Sequence, residues 1–459
     1  MGAFKINLKL EKSQKGMDPL KKKFAELALA QFKEMKAFKA EYGNVKVSEV
    51  SAAQVFGGAR GVIMLLWETS LLDPDLGIRF RGYSIPELRE KLPCLGCSEP
   101  LPEGLFWLMM VGEIPTEEEV KWLSEEWRKR ATVPEHTFRM LDSLPVDTHP
   151  MTQFIAAISS MQTDSIFAKR YFEGMAKTEY WDAVYEDAMN LIARLPRIAA
   201  YIYRRSYHNG EHIDPDPNLD WSANLAHMLG VTDDPTFKDL MRLYMTIHAD
   251  HEGGNASAHT THLVSSTLSD PYLSFAAGMS SLAGPLHGLA NQEVIKWIFE
   301  MVEELGTTKP SSDQIEAFVK KTLSEGKVIP GYGHAVLRQP DPRFIAQKRF
   351  AERHLPDDDF INVVWKVYEV VPPILQSLGK VKNPWPNVDA HSGAILVHYG
   401  LKEYSFYTVL FGVSRALGVL ASACWSRALG LPLERPKSIT FNALKEKVLQ
   451  SAKNTASAN

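Results

Sequence analysis

Four histidines lie within fifteen residues of one another: His248, His251, His259 and His262. In each pair the spacing of three can place two imidazoles on one face of a helix, as some metal sites require. The stretch 251–255 reads HEGGN, so the second histidine of an H-E-x-x-H zinc motif is missing. Its two glycines would also interrupt a helix between the pairs. We therefore expect no metal at these histidines.

A further histidine, His287, stands in the sequence GPLHG at 284–288. Because proline favours the first position of a helix, the pattern predicts a helix that begins at Pro285 and carries His287 near its third position. Free backbone N–H groups and the helix dipole disfavour a protonated imidazole there. A neutral imidazole can donate a hydrogen bond to a developing enolate oxygen. A histidine that merely caps a helix in the core explains this motif equally well.

The segment 330–338 reads PGYGHAVLR and places His334 between two glycines and Arg338, with Arg343 shortly after. Gly331 and Gly333 would let the backbone approach a ligand closely. The pattern is neither a dinucleotide-binding fingerprint nor a Walker A loop. A plain turn is one interpretation, but the histidine and the two arginines favour a site for an anion.

Asp389 follows Asn387 in a segment with the composition of a helix start. Asn387 is the predicted N-cap, which places Asp389 in the first turn. A carboxylate in that position usually stabilises the helix dipole, and it can act as a general base where it faces a cleft.

Arg415 lies within the strongly apolar stretch 404–425. A lone arginine there is costly unless it meets an anion, which is either a structural carboxylate or a bound ligand. Arg435 adds another cation downstream.

The elements that must position these residues are mostly helical. Apolar residues recur at helical spacing over 18–41, 178–205, 312–324, 342–354, 359–378, 403–429 and 441–452. Capping boxes at Ser84 and Thr116, and the Asp-Pro pair at 234–235, mark further helix starts. Short alternating strands are predicted only at 45–47 and 78–80. The fold class is therefore all-α with a minor β element near the N-terminus.

Composition excludes several classes of protein. Lys and Arg total 51 against 55 Asp and Glu, a net charge of -4, which disfavours nucleic-acid binding. Three cysteines, Cys94, Cys97 and Cys424, argue for a reducing compartment, and the lone C-x-x-C lacks the second pair of a zinc site. No membrane span is expected, because the longest uncharged run, 271–292, is diluted by polar residues. Residues 1–42 contain ten Lys and no Arg, unlike a transit peptide.

Five motifs, in order along the chain, resemble the citrate synthase family of the eukaryotic type. They are 246–255, 284–288, 330–338, 387–393 and 411–418, and the similarity extends from about Gly57 to Lys437. The resemblance implies a helical fold of two domains. The large, dimer-forming domain would comprise residues 1–290 and 401–459, and the small, CoA-binding domain residues 291–400. Breaks rich in Gly, Pro and Lys at 306–311 and 379–387 agree with a separate middle section.

The resemblance also implies a reaction, the condensation of acetyl-CoA with oxaloacetate and the hydrolysis of citryl-CoA, with no cofactor and no metal. Asp389 would abstract the α-proton, His287 would stabilise the enol or enolate oxygen, and His334 would polarise the oxaloacetate carbonyl. The residues implied to bind oxaloacetate are His251, Ser257, Arg343, Arg415 and Arg435, the last from the partner subunit of a homodimer.

For CoA, the implied contacts are Arg60, Val328, Ile329, Gly331, Gly333, Arg338 and Asn387. Lys177 stands where some members of the family carry a phosphate-binding arginine, so it keeps the charge without the bidentate geometry. Closure over oxaloacetate would exclude water during condensation. The compartment that the resemblance implies is the mitochondrial matrix.

Two alternatives remain at this point. A 2-methylcitrate synthase would use propionyl-CoA, and a pocket discriminates one methylene by only ~1–3 kcal/mol; acetyl-CoA is favoured, although no motif decides. A metal-dependent hydrolase built on the four-histidine cluster would bind zinc and lose activity with a chelator.

Overall fold

A computed structural model describes residues 16–379 and 381–456 of the chain. Its first helices are α1 (Pro19–Tyr42), α2 (Ala52–Phe56), α3 (Ile85–Lys91), α4 (Pro102–Val111), α5 (Glu117–Arg130), α6 (Glu135–Ser143), α7 (Pro150–Ser160), α8 (Ile166–Phe172), α9 (Tyr180–Tyr207) and α10 (Trp221–Leu229). The chain continues through α11 (Thr236–Ile247), α12 (Ala256–Ser266), α13 (Pro271–Leu282), α14 (Ala290–Leu305), α15 (Ser312–Ser324), α16 (Pro342–His354), α17 (Asp359–Ser377), α18 (Asp389–His398), α19 (Tyr407–Ala428) and α20 (Phe441–Ala456). Short 3₁₀ helices span Met161–Asp164, Lys177–Glu179 and Tyr404–Phe406.

Within residues 16–379 and 381–456 the β structure is one small antiparallel sheet of strands β1 (Ser70–Asp73), β2 (Gly77–Phe80) and β3 (Tyr83–Ser84) in the order β1-β2-β3, with an isolated bridge between Tyr332 and Pro386. Ser70 pairs with Phe80 and Asp73 with Gly77, so a tight turn joins the first two strands. The all-α class with a minor β element is confirmed, as is the strand predicted at 78–80. The strand predicted at 45–47 is wrong: these residues are irregular and exposed, because alternation over three residues with no partner strand cannot form a ladder.

Capping signals in the sequence predicted three helix starts correctly. The predicted capping boxes exist, with Glu87 bonded back to Ser84 and Glu119 bonded back to Thr116. The helix predicted after the Asp-Pro pair begins at Thr236. The expectation about a transit peptide rests partly on residues 1–15, which lie outside the described residues.

The helices pack in two groups that meet at a cleft. In one group the long helix α19 packs against α9, α11, α12 and α13. In the other, α18 packs against α14, α16 and α17, and α15 packs on α17. The groups touch where α16 meets α3 and α11, and where α14 meets α19. The candidate catalytic and binding residues come from both sides of this junction.

Helix α19 with its preceding 3₁₀ turn, residues 404–428, is long and apolar enough to cross a membrane by composition alone, and no other helix among the described residues passes that test. Its apolar window is entirely buried inside the protein, as in the core helix of a globular domain. The longest uncharged run that the sequence offered, 271–292, divides into α13, a turn over 283–289 and the first three residues of α14.

Helix α4 escaped sequence-based prediction because every residue in it is buried. A helix that is apolar all round has no periodic stripe to detect. Leu108, in its middle, is completely inaccessible and belongs to the main core.

We expect Leu108→Ala to destabilise the protein by ~2–5 kcal/mol, the sum of lost apolar transfer and a cavity. The free energy of unfolding measured in urea reports the change. As a control, Val146→Ala removes methyl groups from a side chain that is 62% exposed, so its effect should stay within ~0.5 kcal/mol. Equal effects of the two substitutions would contradict the placement of α4 in the core.

Candidate active site

The loop that carries His334 is fixed to the segment just before α18. Gly333 N–H donates to Trp385 O at 2.9 Å, and Asn387 N–H donates to Gly331 O at 2.9 Å. Asn387 Nδ2 also donates to Gly333 O at 3.0 Å. Gly331 has a φ of 80° and faces α18, where a Cβ would lie 2.9 Å from Ala390 Cα. The glycine requirement predicted from sequence therefore reflects a close approach of two backbones.

The proton of His334 can be assigned from its hydrogen bonds. Its Nδ1 accepts from the backbone N–H groups of Val336 and Leu337, each at 3.0 Å. Nδ1 is therefore unprotonated, and Nε2 carries the hydrogen of the neutral ring. Burial, reinforced by the charge of Arg343, lowers the pKa of His334 to about 4. The ring is thus a neutral donor through Nε2 at physiological pH.

Arg343 lies in the first turn of α16 and is almost wholly buried. Its Nε donates to Asp341 Oδ1 at 3.0 Å, and its Nη2 donates to Asp341 Oδ2 at 2.7 Å. Asp341 is also the N-cap of the helix. Burial tends to raise the pKa of Asp341, but the Arg343 charge and the hydrogen bonds from Arg343 together outweigh burial and hold that pKa below its usual value. The guanidinium is oriented by this pair, with Nη1 outside it.

His251 faces the same cleft from the loop between α11 and α12. Its ring lies 5.4 Å from that of His334, edge to face. Its Nε2 is buried and has no hydrogen-bond partner among the described residues. Burial lowers the pKa of His251 well below its usual value, with further contributions from Arg343 and His334. A buried ring nitrogen without a partner marks a position where a ligand can bind.

The other three histidines of the cluster point elsewhere. His248 stacks on Tyr244 at 4.0 Å and its Nδ1 bonds to Tyr244 O. His259 and His262 both approach Glu434. No group of three or more metal-ligating side chains occurs in the part of the chain that the structure describes. The four histidines therefore lie in three separate environments: His248 against Tyr244, His251 at the cleft, and His259 with His262 beside Glu434.

Arg415 is fully buried in α19 and forms no ion pair with any carboxylate of the described residues. Its Nε donates to His248 O at 3.1 Å, and its Nη1 donates to Asn255 Oδ1 at 3.0 Å. Its guanidinium lies over the Phe411 ring at 4.8 Å. Burial lowers the pKa of Arg415 to about 10. The sequence left two possible anions for Arg415, a structural carboxylate or a bound ligand. Because no carboxylate of the described residues contacts the guanidinium, the site is suited to an anionic ligand.

His287 does not begin a helix, so that prediction is wrong. It lies in the turn between α13 and α14, and α14 begins only at Ala290. The helix start that acts on it is that of α12: Ser257 N–H donates to His287 Nε2 at 3.2 Å, and Ser257 Oγ lies 2.8 Å from the same atom. Nε2 therefore accepts, and Nδ1 carries the hydrogen of the neutral ring.

Burial, followed by the charge of Arg415, lowers the pKa of His287 to about 4. The His287 ring is therefore neutral, as predicted, but the helix start that acts on it is not its own. The N-terminus of a neighbouring helix, which is held by the Asn255 cap on Ala258 N–H, supplies the positive end of the dipole.

Asp389 is the first residue of α18. Asn387 precedes the cap residue, Val388, by one position, so it is not the N-cap itself, but its Oδ1 still accepts from Asp389 N–H at 3.0 Å. Burial raises the pKa of the Asp389 carboxyl to about 7, although Arg343 and Arg415 act in the opposite direction. A carboxylate with such a pKa is a general base matched to neutral pH.

The cleft therefore combines a carboxylate base, two neutral imidazole donors, a free imidazole nitrogen and two buried cations. Such a set can bind a small dianion and polarise a carbonyl. It can also remove a proton next to a second carbonyl. Ile329 is buried behind the loop, and Arg338 donates from Nη1 to Leu337 O at 2.8 Å.

Four other predicted residues are not brought into this cleft by contacts within the protomer. Arg60, Lys177, Val328 and Arg435 are exposed. Conversely, Asn255, Asp250 and Asp341 were not predicted as site residues. The only signal for Asn255 was its place at the end of the HEGGN stretch, and acidic side chains beside a histidine or an arginine are too common to single out.

Comparison with known proteins gives one consistent family. The family model described as "Citrate synthase, C-terminal domain" matches residues 58–437. "Citrate synthase, mitochondrial" of Daucus carota is 57% identical over 434 residues, which cover 94% of this chain and 92% of that protein. "Citrate synthase, mitochondrial" of Xiphias gladius is 56% identical over 427 residues, covering 93% and 91% respectively.

Solved structures agree with these relatives. Citrate synthase from Pyrobaculum aerophilum has a TM-score of 0.72 at 28% identity, with 84% of this chain and 92% of that chain covered. The ternary complex of Thermoplasma acidophilum citrate synthase with carboxymethyl coenzyme A and oxaloacetate has a TM-score of 0.70 at 24% identity, covering 86% and 96%. With most of its length matched at more than half identity and its cleft built from the motifs described above, the chain belongs to the citrate synthase family.

Proposed function

We propose that the residues gathered in the cleft carry out citrate synthesis in the roles that the sequence implied. The observation that supports this most directly is Asp389, a carboxyl whose pKa is raised to about 7, in a cleft with two histidines whose assigned hydrogens make them neutral donors. Thioester α-protons are weakly acidic, so a carboxylate base needs electrophilic help at the thioester oxygen.

In this proposal oxaloacetate binds first, to the cations. Arg343 and Arg415 would hold its two carboxylates, and His251 would donate or accept through its free Nε2. Both arginines are oriented by protein contacts before the ligand arrives, so little freedom is lost on binding. His334 Nε2–H would then polarise the ketone, which makes its carbon the electrophile.

Acetyl-CoA would be activated by Asp389 and His287. Asp389 would remove a methyl proton while His287 Nδ1–H donates a hydrogen bond to the thioester oxygen. The negative charge on the enolate oxygen is then stabilised as it develops. Ser257 stabilises the acceptor state of Nε2 and hence the donor state of Nδ1. The resulting nucleophile attacks the polarised ketone carbon to give citryl-CoA, and water then hydrolyses the thioester to citrate and CoA.

The two groups of helices support a division into two domains. Residues 1–290 with 401–459 would form the large domain, and 291–400 the small domain, which supplies His334, Arg343 and Asp389. CoA would lie along the loop from Val328 to Gly333, close to Asn387, with Arg338, Arg60 and Lys177 near its phosphates. A site divided between two bodies can exclude water by closing them over oxaloacetate.

A homodimer would complete the site. Large apolar side chains are exposed on α1, α2 and the last helix, including Phe38, Phe56 and Phe441. The Phe56 and Phe441 rings pack together at 6.2 Å, so α2 and the last helix share an exposed apolar contact, which supports a subunit interface there. Arg435 is exposed and lies shortly before Phe441 in the sequence. We propose that it enters the cleft of the partner subunit.

The compartment is mitochondrial, in line with the relatives from Daucus carota, Glossina morsitans morsitans and Xiphias gladius, all of which are named as mitochondrial enzymes. The reaction needs only oxaloacetate, acetyl-CoA and water, so we propose that it proceeds without a cofactor or a metal.

The first test is Asp389→Asn, which removes the base at similar volume. We expect kcat to fall by ~10²–10⁴-fold, with little change in the affinity for oxaloacetate, measured as thiol release from acetyl-CoA with and without oxaloacetate. Asp313→Asn is the matched control, since Asp313 also lies in the first turn of a helix but is exposed. Near-normal turnover by the Asp389 variant would overturn the assignment.

The pH profile is a second test. Because the pKa of Asp389 is raised to about 7, its carboxylate form is present above that pH and is lost as the pH falls. We expect kcat/KM for acetyl-CoA to level off above about pH 8 and to fall toward tenfold per unit below about pH 6. His287 and His334, with pKa values of about 4, stay neutral throughout. A wild-type profile that is flat between pH 6 and 8 would contradict Asp389 as the base.

The acyl group can be tested by comparing kcat/KM for acetyl-CoA and propionyl-CoA at saturating oxaloacetate. We expect a preference for acetyl-CoA of roughly 10–200-fold, the range that one methylene supplies. A preference for propionyl-CoA would assign the chain to 2-methylcitrate synthesis instead.

A further inference from the structure

Asp250 immediately precedes His251 and is completely buried. It lies in the loop between α11 and α12, and it is not among the residues predicted to bind a substrate. Its carboxylate nevertheless has four hydrogen-bond donors around it. Oδ1 accepts from the backbone N–H of His251 at 3.0 Å. The other three donors all reach Oδ2 and come from one short segment of chain.

That segment is 67–70, which leads into strand β1. Trp67 Nε1 donates to Asp250 Oδ2 at 3.0 Å, Thr69 Oγ1 at 2.5 Å and Ser70 Oγ at 2.8 Å. Three donors from four consecutive residues converge on one oxygen that lies about 180 positions away in the sequence. Such a set satisfies the buried charge and fixes the carboxylate in one orientation.

The residue after His251 is held by the same segment. Glu252 N–H donates to Ser70 Oγ at 2.9 Å, and Glu252 has a φ of 57°, unusual for a residue other than glycine. Gly253 then packs so closely on the indole that a Cβ would lie 2.7 Å from Trp67 Cε3. His251 is therefore anchored on both sides to residues 67–70.

The loop is also pressed against the helix that carries Arg415. Gly418 N–H donates to Ala249 O at 3.1 Å, and a Cβ on Gly418 would lie 2.5 Å from Asp250 Cβ. Arg415, almost one turn earlier on α19, donates to His248 O. A displacement of Asp250 would thus move the His251 imidazole relative to Arg415.

We propose that Asp250 is a positioning residue for oxaloacetate, which ties the loop bearing His251 to the 67–70 segment so that the free Nε2 of His251 and the guanidinium of Arg415 face the same ligand. This rests on the function proposed above. Residues 67–70 thereby belong to the support of the oxaloacetate site although none of them faces the ligand.

Charge and geometry make opposite predictions for the loss of this carboxylate. Asp250 and Arg415 attract each other electrostatically, and the Asp250 charge raises the pKa of Arg415 against its burial. Removing the negative charge would by itself strengthen the attraction of the cleft for a dianion. Removing the anchor would misplace His251 and weaken binding. The sign of the change in oxaloacetate affinity therefore separates the two effects.

The experiment is Asp250→Asn in the full-length protein, with oxaloacetate affinity measured by titration calorimetry. In either orientation the new amide NH2 group would oppose an N–H donor, that of Trp67 or that of His251. A buried donor is then left unsatisfied, and we expect Kd to rise by about 10-fold or more. The KM for oxaloacetate should rise in parallel, while kcat at saturation changes little. Trp67→Phe removes a single donor and keeps the ring against Gly253, so it should raise Kd by a smaller factor.

Asp187→Asn is the matched control. Asp187 is equally inaccessible and accepts from Ser165 Oγ, Ile166 N–H and Phe167 N–H, away from the cleft. Its loss should lower the melting temperature without changing Kd for oxaloacetate. An Asp250 variant that behaves like the Asp187 variant, or that binds oxaloacetate more tightly, would overturn the proposal.

If Asp250→Asn does not fold, Trp67→Phe decides: a raised Kd supports the proposal and an unchanged Kd overturns it. Wild-type protein that binds oxaloacetate but releases no thiol from acetyl-CoA would contradict the proposed function alone, and the binding comparison would remain valid.

Discussion

A positive charge buried without a carboxylate partner is the constraint on which the rest of this cleft depends. Arg415 lies inside an apolar helix, where its guanidinium donates to the backbone carbonyl of His248, the Asn255 amide oxygen and the Ser257 hydroxyl, and forms no ion pair with a carboxylate of the described residues. Such a cation is costly to bury, and the nearby Asp250 reduces that cost through its field without forming a direct ion pair. The arrangement leaves the guanidinium oriented and without a direct ion pair, and a bound dianion would supply the missing negative charge.

Burial and nearby arginines together set the protonation of the two donor histidines, His287 and His334. Burial is the main reason that the pKa values of His287 and His334 fall to about 4, and the arginine charges add to it. Each ring then has one nitrogen committed to backbone N–H groups, so each offers a single donor in a fixed direction. The cations that would bind one substrate thereby add to burial in keeping both rings neutral, the form that the proposed activation of both carbonyls would need.

Sequence reasoning recovered the parts of this site that depend on local chemistry. Capping boxes, long periodic helices and the glycines beside His334 were predictable because each follows from a few neighbouring residues. Helix α4 was missed because it is buried on every side, and the strand predicted at 45–47 failed because strand pairing is not a local property. For His287 the neutral ring was predicted, but its cause was assigned to its own helix, whereas the helix that acts on it starts thirty residues earlier. The anchoring of Asp250 by residues 67–70 depends entirely on tertiary packing and left no signal in either segment.

Asp389 shows how competing effects are resolved in such a site. It stands at the first position of a helix, and both arginines act to lower its pKa, so three features favour the charged carboxylate. Its pKa is nevertheless raised, because the loss of hydration on burial is the larger effect. The opposing contributions leave the pKa of the carboxyl at about 7: the arginines act to lower that pKa, and burial raises it to the range that the proposed proton transfer from carbon would need. A more exposed aspartate would be too weak a base, and the same buried aspartate without the cations would hold its own proton at physiological pH.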